Sequence, residues 1–90
     1  MQEQAPLTEK EVGVVTHFYS KIGVAGVHME APVDLGDHIH VMGHTDDFEQ
    51  DVDSIEIEHA KVAHVDAGDD VGIRVNAQVH EHDRVYKTVK

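Results

Sequence analysis

The chain has 90 residues, a formal net charge of −11 with histidine neutral, and no cysteine. A chain of this size closes one small core and buries roughly 60% of its unfolded surface, which excludes a second domain. The missing thiols exclude disulfides, thiolate catalysis, Cys-based zinc fingers and iron–sulfur ligation.

The charge also argues against direct nucleic-acid binding. Eighteen Asp and Glu face seven Lys and Arg. Lys10, Lys21, Lys61, Arg74, Arg84, Lys87 and Lys90 are scattered, whereas phosphate neutralisation needs them clustered. Carboxylates spread over the whole chain are the composition of a halophilic surface, because concentrated salt screens their mutual repulsion. With no apolar window of about 18 residues and no basic start followed by an apolar run, the reading is no membrane contact and a cytoplasmic protein.

Residues 1–9 are polar, contain Pro6 and show no periodicity, so they read as a flexible N-terminal tail ahead of a single β-barrel domain at 10–90. In "EVGVVTHFYS" the alternation puts Val12, Val14, Thr16 and Phe18 on one face. "IGVAGVHME" changes phase at Ala25 and Gly26, which predicts a β-bulge there. "HIHVMG" sends Ile39 and Val41 one way and His38, His40 and Met42 the other. "FEQDVDSIEIE" changes phase again near Asp53 and Ser54. "DVGIRV" and "RVYKTV" supply two more alternating runs. Six strands, two phase shifts and no helical period predict an all-β, small, closed six-stranded barrel, and closure would remove aggregation-prone edges.

Gly-Asp occurs twice before such runs, at Gly36-Asp37 and Gly68-Asp69. Gly supplies a positive φ and the Asp carboxylate takes a nearby backbone N–H, so both read as turns rather than phosphate loops. Neither opens a Gly-rich loop before a helix.

The motifs, in order, resemble the second domain of translational GTPases of the elongation factor Tu and 1A type. Val12-Gly13, Leu35 to Val41, Ser54 to His59 and Ala67 to Gly72 carry the likeness, which covers about residues 11 to 89. The chain is also similar to small translation elongation factor-like proteins and to the C-terminal barrel of U32-family peptidases. The resemblance implies a Greek-key barrel used as a binding module with no catalytic residue. It places partner contacts at Ser20, Lys21, Ile22 and Gly23 and at His59 and Lys61. No G-x-x-x-x-G-K-[ST] loop is present, so no nucleotide and no cofactor is expected.

Nine histidines are many for this length. His38-x-His40 and His80-x-His82 each put two rings on one face of an extended segment, with His44, Asp37 and Glu81 near, a donor set suited to zinc or nickel. Ser20 and Ser54 are the only serines and neither lies in a nucleophile elbow. The expectation is a non-enzymatic module engaging a protein or ribonucleoprotein partner in translation or RNA modification. The alternatives are a histidine-based metal-binding protein and an accessory subunit of a U32-type enzyme.

Overall fold

A computed structural model describes residues 9–88, which form β-strands and turns with no helix among them. The tail expected at 1–9 therefore falls outside the described residues except for Glu9, which opens the first strand. The strands are β1 (Glu9–Tyr19), β2 (Val24–Met29), β3 (Val33–Asp34), β4 (His38–Met42), β5 (Asp47–Asp51), β6 (Ile55–Ile57), β7 (Ala60–Val62), β8 (His64–Val65), β9 (Asp70–Arg74) and β10 (Arg84–Thr88).

The expected closed six-stranded barrel is not what the chain forms. Eight strands make one antiparallel sheet in the order β5-β4-β10-β1-β2-β9-β6-β7, and β3 pairs with β8 alone. The sheet is open, because its end strands β5 and β7 share no ladder. Where β5 comes near the end of β9, a side chain spans the gap instead of main chain. Gln50 donates from Nε2 to the Arg74 carbonyl at 2.8 Å and accepts the Asn76 N–H on Oε1 at 2.7 Å. The exposed edges are managed by chemistry rather than by closure: Asp47, Glu49 and Asp51 charge the β5 edge, and β7 is only three residues long.

Two expectations about phase are corrected by position. The bulge lies on β1, between Val15 and His17, opposite Gly26, and a second irregularity sits between Glu11 and Gly13. The irregularity between Glu11 and Gly13 puts both Val12 and Val15 into the core, three residues apart, which strict alternation could not do. β2 itself keeps one phase, with Ala25, Val27 and Met29 inward, and Ile22 belongs to the preceding turn. The phase change at Asp53 and Ser54 is no bulge either: it separates β5 at one edge from β6 next to the other. Ile39 and Val41 of β4, Val71 and Ile73 of β9, and Val85 of β10 are buried as their alternation requires.

Both Gly-Asp turns form as read. Gly36 and Gly68 have φ of 92° and 94°, and Asp37 and Asp69 accept the N–H of Asp34 and Asp66 at 2.8 and 2.9 Å. A third copy went unseen in the sequence. His82 holds φ at 77°, and Asp83 accepts the His80 N–H at 3.0 Å. In all three a buried valine, Val33, Val65 or Val79, precedes the turn and a strand follows it. The shared pattern is Val-x-x-x-Asp, with His82 standing where the other copies have glycine, at a left-handed cost of about 1–2 kcal/mol.

Candidate functional site

The β1–β2 turn and the β6–β7 hairpin stand over the outer face of the sheet and enclose a groove of about 370 Å³. The turn is tight: the N–H groups of Ile22 and Gly23 both donate to the Tyr19 carbonyl, and Gly23 takes φ 67°. Its side chains are thereby thrown outward, leaving Ile22 63% and Tyr19 50% exposed. The β6–β7 hairpin turns on Glu58 and His59, whose φ values of 50° and 69° are the paired positive angles of a two-residue type I′ connection. The paired glycines Gly26 and Gly72 contribute bare backbone to the floor. Glu56, Glu58 and Asp70 place carboxylates around it.

Of the six contact residues expected from sequence, Ile22 and His59 line this groove. Lys61 stands beside it, its Nζ 3.9 Å from Glu56 and 3.4 Å from the Ser54 hydroxyl. Ser20 and Lys21 are exposed in the turn without lining the groove, and Gly23 shapes the turn, its carbonyl accepting the Val75 N–H at 2.9 Å. Tyr19, whose ring lies 4.3 Å from that of His17 and tilted 59° to it, is a groove residue that sequence reasoning missed. Its signal was an aromatic side chain immediately before a four-residue turn.

With this geometry in view, three comparisons bear on the chain. No protein-family model matches it. It is 38% identical over 77 residues to an uncharacterised protease of Methanocaldococcus jannaschii, covering 84% of this chain and 19% of that protein. In structure it superposes on the C-terminal domain of a candidate U32 peptidase from Geobacillus thermoleovorans with a TM-score of 0.80 at 18% identity, covering 84% of this chain and 96% of that domain. A second crystal structure of that domain gives a TM-score of 0.80 at 19% identity, covering 84% and 89%. The chain has the fold of a U32 C-terminal domain. The comparisons carry the U32 part of the expectation and leave the translation-factor part without support.

The histidines expected as metal ligands do not converge. His38 and His40 lie on one face of β4 as read, but each ring is already held by two carboxylates. His38 meets Asp51 at 2.9 Å and Glu49 at 2.7 Å, and His40 meets Glu9 at 2.9 Å and Asp47 at 2.5 Å. His64 does the same between Asp34 and Asp66. In a chain poor in lysine and arginine, histidine has become the partner of the carboxylates on the sheet surface. Hydrogen bonds that its ring donates to Asp51 and Glu49 hold His38 above its ordinary pKa, and those to Asp34 and Asp66 do so for His64. Burial pulls His40 down, but Asp47 and Glu9 together outweigh it and leave that group raised as well.

These shifts fix a direction for pH dependence. A histidine with a raised folded pKa contributes fully below its unfolded value near 6.5 and loses that contribution as pH climbs through the folded value. The midpoint of thermal unfolding should therefore fall as pH rises above about 6.5, and a double substitution His38→Gln and His64→Gln should flatten the slope. A profile that is flat, or that rises over this range, contradicts the assignment.

His80 and His82 lie elsewhere, in the turn before β10. They line a second cavity of about 500 Å³ with His44, Thr45, Glu81 and Asp83. His80 Nδ1 is 2.7 Å from Asp46 Oδ2, and one donor atom each of Asp46, His80 and Asp83 falls within a 4.8 Å cluster. Burial first, and then the neighbouring Asp46 carboxyl, push Asp83 above the usual carboxylate range, while Asp83 and His80 hold Asp46 below it. No helix among the described residues is long and apolar enough to cross a membrane.

Proposed function

We propose that the chain is a non-catalytic accessory module that acts with a U32-type peptidase protein, and that the groove between the β1–β2 turn and the β6–β7 hairpin is its contact surface. The observation that carries the reading is domain-level likeness. The same β fold covers 96% of a U32 C-terminal domain, and the sequence match spans only 19% of a protease. What a domain of this kind can offer a larger protein is surface, and here Tyr19 and Ile22 present apolar area inside a ring of Glu56, Glu58 and Asp70. The complementary partner surface inserts an apolar side chain flanked by Lys or Arg.

The test is calorimetric titration of this chain into the U32-type protein of its own source organism. A 1:1 complex is expected, weakened on the order of tenfold or more by Ile22→Glu and unchanged by His38→Gln on the other side of the sheet order. Absence of a complex, or indifference to Ile22→Glu, rules the reading out. Peptide hydrolysis by the isolated chain would overturn its non-catalytic half.

A further inference from the structure

Beyond the groove, and independently of it, we propose that Asp46, His80 and Asp83 form a divalent transition-metal site of the zinc class. The three side chains come from two segments far apart in sequence, the β4–β5 turn and the turn before β10, and meet because β4 and β10 are paired. Their donor atoms are two oxygens and one imidazole nitrogen, a set zinc accepts. Around a zinc ion such donors stand roughly 3.3–3.6 Å from one another at bond lengths of about 2.0–2.2 Å. The observed cluster, within 4.8 Å, needs only side-chain adjustment to reach that spacing.

A second observation points to a cation. Asp83 is 3% exposed and is served on Oδ2 by the His80 N–H, yet it stands beside another carboxyl, and none of the six residues lining the adjoining cavity is Lys or Arg. Two carboxyls held together beside a buried position repel unless a proton or a cation lies between them. The opening beside them is lined by His44 as well as His80, so a fourth ligand, imidazole or water, has room to enter. The contrast with His38 and His40 is instructive. Those rings are each saturated by two carboxylates, from β5 and, for His40, also from Glu9 of β1, and among the described residues they form no three-donor group.

Titration of tag-free, chelator-stripped chain with zinc alone should show one equivalent of binding and a raised unfolding temperature. His80→Gln changes a half-exposed side chain and so keeps the fold available for the test. It should weaken zinc binding by at least about tenfold, as should Asp46→Asn, while His38→Gln leaves the affinity unchanged. Full affinity in His80→Gln overturns the site. So does weak multiple binding reduced equally by His38→Gln, or a wild-type titration with no heat and no shift in unfolding temperature.

Discussion

Gln50→Ala should destabilise the protein by roughly 2 kcal/mol, because two part-buried main-chain groups lose their partner at once. Gln50 is 6% exposed and sits on β5, where sheet pairing with β9 has no ladder. Its amide serves the Arg74 carbonyl and the Asn76 N–H at 2.8 and 2.7 Å, with a weaker third bond to the Asp51 carbonyl at 3.3 Å. Removing it leaves a part-buried acceptor and donor, each costing about 1 kcal/mol, the low end for a lost partner, because Arg74 and Asn76 lie near solvent. For a domain of this size the sum corresponds to a fall of roughly 8–16 °C in the unfolding midpoint. Gln50→Met separates the causes, since it keeps the length and most of the volume but none of the polarity. Thermal unfolding should place it close to the alanine variant. If Met restored the midpoint, the loss in Gln50→Ala would be a cavity effect and the side-chain bridge would contribute nothing.

That bridge also shows why the architecture was only partly legible. Alternation at Ile39 and Val41, Val71 and Ile73 was readable because a strand buried on one face repeats every two residues. The same pattern serves a closed and an open sheet equally well. What distinguishes them is whether the outermost strands find each other, and here the meeting of β5 with β9 is made by one glutamine that reads in sequence as an ordinary polar strand residue. The phase changes were visible, but their meaning was not. Ile22 against Ala25 marks a turn ending, Val52 against Ile55 marks a strand boundary, and the true bulge at Val15 and His17 is silent in the alternation of its own strand.

The candidate sites divide in a similar way. Ile22 and His59 were reachable because turn residues project outward, and the groove does unite them. The carboxylates of Glu58 and Asp70 join Tyr19 and Ile22 only through sheet order, since β2, β9 and β6 are neighbours in space and not along the chain. Spacing alone pairs His38 with His40 and His80 with His82. It cannot show that the first pair is claimed by carboxylates of β5 and of Glu9 at the start of β1, or that His80 turns instead toward Asp46. The third Val-x-x-x-Asp turn was hidden because His82 occupies the position where glycine announced the other two.

The turn that His82 builds makes Gly43 the least replaceable of the residues around it. Gly43 follows β4, and its N–H donates to the Asp46 carbonyl at 2.8 Å to begin the β4–β5 turn. A Cβ there would overlap the Asp83 carboxyl, meeting Oδ1 first and Cγ next. Its φ lies outside the left-handed range, so alanine meets no conformational barrier and the whole cost of Gly43→Ala is contact. Asp83 cannot simply swing away, because it is buried and holds the His80 N–H that closes its own turn. Forcing it out adds an unpaired, part-buried N–H to the overpacking cost, together about 2–4 kcal/mol. A double-mutant cycle isolates this contact. In an Asp83→Ala background the obstructing carboxyl is gone, so Gly43→Ala should then cost less than about 1 kcal/mol in denaturant unfolding, and the two substitutions should be strongly non-additive. Additive losses would mean that Gly43 is required for the β4–β5 turn itself and that its fit against Asp83 is incidental.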